Sequence, residues 1–309
     1  MKLTIIDLHP AALLEKEAAI DAYRERYAGA EVEVLSLADT PIKDCIGCWS
    51  CWVKTPGQCI HRDIMPTVYE KLLSSDRVLF LFPTANGFLS GHAKAFIDRL
   101  IPLYHPSIQF HAGEMMHYYR YSHYPTFDMW WDHSDLTAAE DQAIECYCIR
   151  MNHHFRQYGD TLRIIDGKAV LTLQQNGEAP ADQPWGSMGA LKEVRRGKII
   201  LYNGSPRGKK GNSLILLNEI IKGFEQLGLA SDDYEIRDLI DQRSHDAWAA
   251  DFHTHSHHLF LFPLYVHAMP SIVMKFFEKL QPMPADSRHN SPTQMTFVVQ
   301  SGFPESHQS

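Results

Sequence analysis

The sequence predicts an α/β protein with two doubly wound parallel sheets, one in each half of the chain. Short apolar runs without polar alternation, such as those in "RVLFLFP" and "KIILYNG", are typical of strands that are buried on both faces. Strand, helix, strand and strand follow one another in the same order in both halves. Because strands that alternate with helices favour right-handed parallel crossovers, each half is predicted to form one such sheet.

The elements of the first half are predicted in the order "KLTIIDL", "AALLEKEAAIDAYRERYA", "EVEVLSL", "IMPTVYEKLLSS", "RVLFLFP", "YPTFDMWWD" and "AAEDQAIECYCIRMNHHF". Those of the second half are "KIILYNG", "NSLILLNEIIKGFEQLG", "DYEIRDL", "HLFLFPLY" and "QMTFVVQ". In both halves the third strand runs into a loop that begins with proline and then into an amphipathic helix. This agreement suggests an internal duplication.

The domain boundaries follow from composition. A stretch rich in Pro, Gly and small residues without a period predicts a linker over 176–196, between domains at 1–175 and 197–309. The second domain reads as incomplete, because no helix follows its fourth strand as one does in the first domain. We therefore expect either that another subunit covers this edge, as in a homo-oligomer, or that the chain is truncated.

Charge and hydropathy exclude several classes of function. A net charge of −8 argues against a nucleic-acid-binding protein, which needs a basic surface. No apolar run approaches the roughly 18 residues that a membrane-spanning helix needs, and the start "MKLTIIDLHP" lacks the core of a signal peptide. The sequence thus predicts a cytoplasmic protein with no membrane or nucleic-acid partner.

The loop "NGSPRGKKGNS" joins the first strand of the second half to a helix. Gly204 permits a sharp turn, Ser205, Asn212 and Ser213 offer polar donors, and the helix start adds free N–H groups and a positive dipole end. The loop fits neither G-x-G-x-x-G nor G-x-x-x-x-G-K-[ST], so a monophosphate is the expected anion. The alternative is a structural turn with Ser213 as the helix N-cap. The first half has "DLHPAALLEKEAAI" at this place and is predicted to lack a phosphate site.

Four of the six cysteines lie close together in "CIGCWSCWVKTPGQC". Cys45, Cys48, Cys51 and Cys59 have a spacing at which thiolates can surround an iron–sulfur cluster, and a turn at Pro56–Gly57 returns the last cysteine to the others. Tetrahedral zinc, disulfides and free thiols without any metal are alternatives. The longer final spacing leaves the identity of the fourth ligand open.

"GSPRGKKGNS" and "PLYVHAMPSIVMKFFEKL" resemble the flavin loops of the flavodoxin-like NADPH-dependent FMN reductase and iron-sulfur flavoprotein families. The cysteine loop resembles that of the iron-sulfur flavoproteins, although related flavoproteins with similar loops need not carry a cluster. The resemblance implies that FMN binds in the second half only. The implied FMN contacts are Ser205, Arg207, Asn212 and Ser213 at the phosphate, Pro263, Leu264, Tyr265 and Val266 beside the isoalloxazine, and Ser301, Gly302 and Phe303 in a third loop. His267 lies in the second of these loops, where it either hydrogen-bonds the flavin ring or has a structural role.

The resemblance implies a flavin oxidoreductase. FMN would accept hydride from NAD(P)H and pass electrons to a small-molecule or protein acceptor, directly or through the cluster. In the iron-sulfur flavoproteins, cluster and flavin approach one another across a subunit interface, so the two halves are expected to pack as a pseudo-dimer that brings the cysteine loop to the flavin. No catalytic protein residue is expected, because the flavin carries the chemistry. A cluster-free FMN or quinone reductase and a non-catalytic flavin-binding electron carrier are the alternative functions.

Overall fold

The computed structural model describes residues 1–10, 13–111, 114–155, 158–165, 168–173, 198–280 and 293–301. Contacts divide the chain into unit 1, Met1–Gly177, and unit 2, Glu178–Ser309. The predicted linker 176–196 lies outside the described residues, so the predicted domain bounds stay a prediction. None of the helices described combines the length and apolar character that a membrane span requires.

The elements of unit 1 agree with the predicted order and add three hairpins. Its strands are β1 (Lys2–Asp7), β2 (Glu31–Ser36), β3 (Arg77–Phe82), β4 (Thr84–Ala85), β5 (Phe88–Leu89), β6 (Tyr104–His111), β7 (Glu114–Tyr119), β8 (Thr126–Trp131), β9 (Tyr158–Ile165) and β10 (Lys168–Leu173). Its helices are α1 (Leu14–Arg26), α2 (Ser50–Val53), α3 (Met65–Leu73), α4 (Gly91–Asp98) and α5 (Ala138–Phe155).

The main sheet of unit 1 has the order β10-β9-β8-β3-β1-β2. Its first five strands in chain order, β1, β2, β3, β8 and β9, are parallel and lie in the flavodoxin-like order 2-1-3-4-5, and β10 pairs antiparallel at the edge. Side chains of β1, β3 and β8 pack against α1 in one buried cluster that includes Leu3, Leu79, Trp130 and Tyr23. The predicted doubly wound fold is therefore confirmed for this unit.

Unit 2 repeats the arrangement with four strands. It contains β11 (Ile199–Asn203), β12 (Tyr234–Asp238), β13 (His257–Pro263) and β14 (Gln294–Gln300), with α6 (Ser213–Gln226), α7 (His245–Ala250) and α8 (Ser271–Phe277). All pairs are parallel in the order β12-β11-β13-β14. Ile200 and Tyr202 pack into one buried cluster with α8, while Leu201 packs into another with α6. Helices thus cover both faces of the central strand, as the uninterrupted apolar run predicts.

The hairpins β4–β5, β6–β7 and β9–β10 are absent from the sequence prediction. The strands β4 and β5 have two residues each, too few for a period-2 pattern to be visible. β6 contains Pro106 and its pairing with β7 is irregular between Tyr104 and Ile108. Such strands have weak sequence signals because tertiary contacts rather than local propensity stabilise them.

Gly204 illustrates how closely the loop after β11 lies to the sheet. Its N–H donates to the carbonyl of Leu261 at 2.7 Å. A Cβ added here would lie 2.6 Å from Val273 Cγ2 and 2.9 Å from Phe262 Cβ, distances that real side chains do not adopt. Backbone and core therefore exclude any side chain at this position.

We predict that Gly204→Ala destabilises unit 2 by about 1–3 kcal/mol, the usual cost of overpacking. Gly223→Ala is the matched control, because a Cβ at this position inside α6 meets nothing within 4 Å. There the substitution should stabilise the unit by roughly 0.5–1 kcal/mol through better helix propensity. Urea unfolding of both variants tests the pair, and equal effects at the two glycines would contradict the packing argument.

His258 links the stability of unit 2 to pH. Its side chain is 2% exposed and stacks on Phe252 with ring centroids 3.8 Å apart. Nε2 lies 3.1 Å from the carbonyl oxygen of His255, so it carries the proton, and Nδ1 lies 3.3 Å from the hydroxyl of Tyr202. Burial lowers the pKa of His258 to about 4.

Because this pKa is lower in the folded than in the unfolded chain, protons favour unfolding at low pH. The stability of unit 2 should be complete above the ordinary histidine pKa of 6.5 and should fall as the pH decreases to about 4. We expect His258→Phe to flatten this acid dependence of the melting temperature, measured between these two pH values. An unchanged slope in the variant would refute the assignment.

Candidate functional site

The predicted phosphate loop lies at the carboxyl end of β11, where open parallel sheets bind ligands. Ser205 and Ser213 are buried, and the loop between them includes a 3-10 turn at Gly208–Lys210. A Cβ on Gly211 would lie 2.3 Å from Ser205 Oγ, so the two ends of the loop are in contact. The backbone therefore curls into a compact ring ahead of α6.

Exposed cations surround the start of α6. α6 begins at Ser213, with Asn212 at the N-cap position and no side-chain cap hydrogen bond. The alternative interpretation of Ser213 as the N-cap is therefore wrong. The hydroxyl of Ser213 donates to Gln300 Oε1 at 3.4 Å instead. The side chains of Arg207, Lys209 and Lys210 are exposed around the ring. These cations and the helix dipole together favour an anion at the helix start.

The second predicted loop contains a strained turn. Val266 and His267 have φ angles of 43° and 61°, although neither residue is glycine. Hydrogen bonds between Tyr265 and Ala268 close the turn in both directions, at 2.8 and 3.2 Å. A β-branched residue at positive φ costs about 1–3 kcal/mol, and such strain occurs mostly at functional sites.

The structure links the predicted flavin loops to one another. The N–H of Leu264 donates to the carbonyl of Gln300 at 2.8 Å, and the side chain of Gln300 accepts from Ser213. Ser301 follows β14 directly and therefore lies at the same edge of the sheet. Gly302 and Phe303 lie outside the described residues. All the described residues of the three predicted loops thus belong to one end of unit 2.

Sequence analysis missed an open depression of about 550 Å³ beside this loop, lined by Ile240, Asp241, Gln242 and Arg243 after β12. Ile240 adjoins the phosphate loop, since its Cγ2 lies 3.3 Å from where a Cβ on Gly208 would be. None of the predicted flavin contacts that the structure describes lines the depression. It therefore borders the candidate site without coinciding with it.

Unit 1 has a different arrangement at the equivalent place after β1. The carboxylate of Asp7 accepts from Lys16 Nζ at 3.0 Å, and both side chains are largely buried. His9 lies beside them, with Nε2 3.5 Å from Asp132 Oδ2. An internal carboxylate thus neutralises the lysine at the start of α1, and a phosphate there would meet two acidic side chains.

The cysteine loop of unit 1 connects β2 to α3. Cys45, Cys48, Cys51 and Cys59 all line one small cavity of about 20 Å³, together with Ile46, Gly47, Trp49, His61 and Ile101. All four are free thiols. Gly57 has a φ of 81° and its N–H donates to the carbonyl of Cys51 at 2.9 Å. This is the Pro–Gly turn that the sequence predicts, and it does return Cys59 to the other three cysteines.

Burial dominates the electrostatics of these thiols. It raises the pKa of Cys45 to about 12 and, with a smaller contribution from Cys59, that of Cys51 to about 11. The nearby Asp98 also raises the pKa of Cys45, and this carboxylate forms a fully buried ion pair with Lys94. Without a metal, Cys45 and Cys51 are therefore protonated at neutral pH, and a metal would have to displace their protons.

The donor chemistry of this cavity suits an iron–sulfur centre, because thiolates are the ligands such clusters take. Its volume holds about one water-sized sphere, so the loop has to open around a cluster. In the part of the chain that the structure describes, no three His, Cys, Asp or Glu side chains are already grouped to hold a metal ion. The four cysteines are thus neighbours without forming a finished metal site.

Two residues at this cavity are invisible to motif analysis. His61 lines it, and its buried Nε2 has no hydrogen-bond partner among the residues described. Burial lowers the pKa of His61, so the ring is neutral at physiological pH. Arg99 lies near Cys59. Proximity to the cysteine loop in space, rather than in sequence, identifies both residues.

Comparison with known families matches residues 12–114 to NADPH-dependent FMN reductase. The matched segment lies in unit 1 and contains the cysteine loop, whereas the predicted phosphate loop lies outside it. An iron-sulfur flavoprotein of Methanocaldococcus jannaschii is 39% identical over 71 residues, which are 23% of this chain and 35% of the relative. One from Archaeoglobus fulgidus is 33% identical over 78 residues, 25% of this chain and 34% of the relative. The chain thus spans about a third of the length of these relatives.

Solved structures with partial similarity include an azoreductase from Bacillus anthracis, with a TM-score of 0.36 and 15% identity over 50% of this chain and 81% of that one. An FMN-dependent NADH-azoreductase from the same species, in complex with FMN, has a TM-score of 0.33 and 14% identity over the same shares. The fold assignment rests on strand order rather than on these scores. The sequence matches confirm the predicted resemblance to the NADPH-dependent FMN reductase and iron-sulfur flavoprotein family.

Proposed function

We propose that the protein is a flavin oxidoreductase that binds FMN at the loop end of unit 2, accepts hydride from NAD(P)H and delivers electrons to a small-molecule or protein acceptor. The observation that carries the proposal is the ring of residues 204–213, which presents a helix start and exposed cations at the carboxyl end of the central strand. A phosphate monoester fits this arrangement, because backbone N–H groups and the helix dipole both favour a compact anion.

Each predicted contact has a defined role in this proposal. Ser205 and Asn212 donate to the phosphate, Ser213 supports the start of α6, and Arg207 adds charge. The turn at Tyr265–His267 approaches the flavin ring, where its strained backbone presents N–H groups that a relaxed turn would direct elsewhere. FMN when bound supplies the hydride and electron chemistry, so the chain contributes binding and orientation.

We place the site in the second unit because an internal ion pair occupies the equivalent position of the first. In unit 1, Asp7 already compensates Lys16, and Asp132 lies near His9. A phosphate that drew Lys16 away from Asp7 would leave the buried carboxylate of Asp7 unpaired, which is unfavourable. The turn of unit 1 that corresponds to Val266–His267 contains Asn86 and Gly87, residues that adopt positive φ without strain. One FMN per chain follows from this comparison.

The proposed role of the cysteine loop is to hold an iron–sulfur centre that receives electrons from the flavin. Cys45, Cys48, Cys51 and Cys59 are its proposed ligands, and they already line one cavity. We further propose a homo-oligomer in which another subunit covers β14, whose Met295 and Phe297 are 46% and 47% exposed.

One observation favours a second candidate function. The cysteine cavity has room for about one water-sized sphere, and its thiols are not yet grouped around a metal. An NAD(P)H-dependent FMN or quinone reductase without a cluster would need no opening of this loop. Iron, sulfide and flavin analysis of protein purified without oxygen separates the two functions.

We predict that Ser205→Ala combined with Asn212→Ala weakens FMN binding at least tenfold, because each charge-assisted hydrogen bond contributes about 1.5–3 kcal/mol. Fluorescence titration of FMN measures the effect. Asn218→Ala, on the exposed face of α6, is the control and should retain the original affinity. Undiminished affinity in the double variant, or two FMN per wild-type chain, would place the flavin elsewhere.

We also predict that Cys48→Ser abolishes iron binding while FMN content and the melting temperature of the metal-free protein stay unchanged. Cys48 is exposed on a loop, so its replacement removes a ligand without opening the core. Cys146→Ser in α5 is the matched control and should keep its iron. Wild-type protein that contains FMN but no iron after anaerobic preparation would leave the cluster-free reductase as the function.

A further inference from the structure

We propose that Arg99 is the positioning residue of the cysteine loop. It holds together the two ends of the loop, called the neck below, so that the four thiols line one cavity before any metal binds. This inference rests on the proposed role of the loop as a metal site. Arg99 lies directly after α4, outside the cysteine motif, and its side chain is 1% exposed. It is therefore a buried cation whose contacts are all within the protein.

The neck consists of Lys43, which precedes the first cysteine, and Asp63, which follows the last. Arg99 Nη1 donates to the carbonyl of Lys43 at 2.8 Å and to Asp63 Oδ2 at 2.8 Å, while Nη2 donates to Asp63 Oδ1 at 3.0 Å. The N–H of Lys43 also donates to Asp63 Oδ2, at 3.2 Å. One guanidinium thus joins two chain segments that are 20 residues apart in sequence.

The guanidinium of Arg99 and the carboxylate of Asp63 stabilise each other's charged form. Burial alone would raise the pKa of Asp63, but the hydrogen bonds and charge of Arg99, together with the N–H groups of Lys43 and Met65, lower the pKa on balance. Asp63 also accepts from the N–H of Met65 at 3.2 Å, so the carboxylate ties the neck to the start of α3. The hydroxyl of Tyr69 on α3 donates to the carbonyl of Arg99 at 2.5 Å, which holds the arginine backbone in place.

A second attachment holds the middle of the loop to the same segment. Trp52 Nε1 donates to the carbonyl of Ile101 at 3.1 Å, two residues after Arg99. Trp52 also stacks on Trp49, with ring centroids 4.6 Å apart. Neck and middle are therefore both attached to residues 99–101, whereas Cys48 at the tip is exposed and free to adjust.

Arginine is suited to this role in a way that lysine is not. Its planar fork bonds a carboxylate through two nitrogens at once, and it keeps its charge when buried. Holding a long loop closed in advance removes part of the entropy that a metal would otherwise have to overcome. The clamp therefore fixes Cys45 and Cys59 near the neck, and the tip opens to admit the metal.

The test measures thiol alkylation in metal-free protein, residue by residue, by mass spectrometry with a maleimide. Arg99→Gln and Arg99→Lys should both accelerate modification of Cys45 and Cys59 by about tenfold or more, since a one-point contact cannot replace the fork. The fully buried Cys148 on α5 is the internal reference and should keep its rate. Asp63→Asn, which leaves Arg99 in place, should have the same effect if the arginine variants do not fold.

Arg77→Gln is the matched control variant. Arg77 forms a two-point contact of the same kind with Asp128, at 2.9 and 2.5 Å, but lies at the start of β3. This variant should lower the melting temperature without changing the ratio of the Cys45 and Cys148 rates. Unchanged rates in the Arg99 and Asp63 variants, or equal acceleration in the Arg77 variant, would overturn the clamp.

Iron binding then separates the clamp from the function on which it rests. If the clamp and the metal site are both correct, Arg99→Lys should lose iron affinity while FMN content stays the same. Accelerated alkylation in the variants with no iron in the wild-type protein would uphold the clamp and refute the cluster. Unaltered alkylation with iron in the wild-type protein would refute the clamp alone.

Discussion

The burial of parallel strands on both faces is the constraint on which the candidate sites depend. Side chains of β11 pack against helices on opposite sides of the sheet, and β1 and β3 are buried in the same way in unit 1. The polar groups of the candidate sites therefore lie where the strands end. Since parallel strands end at the same edge, loops that are distant in sequence meet there.

The two units show how one fold supports different chemistry at equivalent places. After the first strand, unit 2 has a glycine so close to the core that no Cβ fits, followed by a ring of polar and basic residues. Unit 1 has an aspartate that pairs with a buried lysine. In unit 2 the cations are exposed, so their positive potential can attract an anion. In unit 1 the carboxylate of Asp7 neutralises the charge of Lys16. The difference lies in a few side chains and not in strand order.

The cysteine loop and the turn at Val266–His267 keep their shapes by opposite means. At Val266 and His267 the backbone adopts an unfavourable conformation that the two hydrogen bonds between Tyr265 and Ala268 maintain. In the cysteine loop, glycines take two of the three positive φ angles, at Gly47 and Gly57, and Trp49 takes the third. Buried polar contacts to Arg99 and Ile101 supply its rigidity from outside. Strain in one loop and external attachment in the other both require a well-packed sheet beneath them.

The sequence by itself determined the fold class, the order of the main elements, the turn at Pro56–Gly57 and the lack of Gly, Ser or Asn between the first strand and first helix of the first half. These features depend on local patterns: apolar runs, loop glycines and the position of charged residues within a few positions of a strand. It did not reveal the short hairpins, the approach of His61 to the cysteine cavity, the pairing of Asp7 with Lys16 or the clamp at Arg99. Each of these depends on which segments the sheet and helices bring together, and only the tertiary structure decides that, because the partners carry no shared signal in sequence.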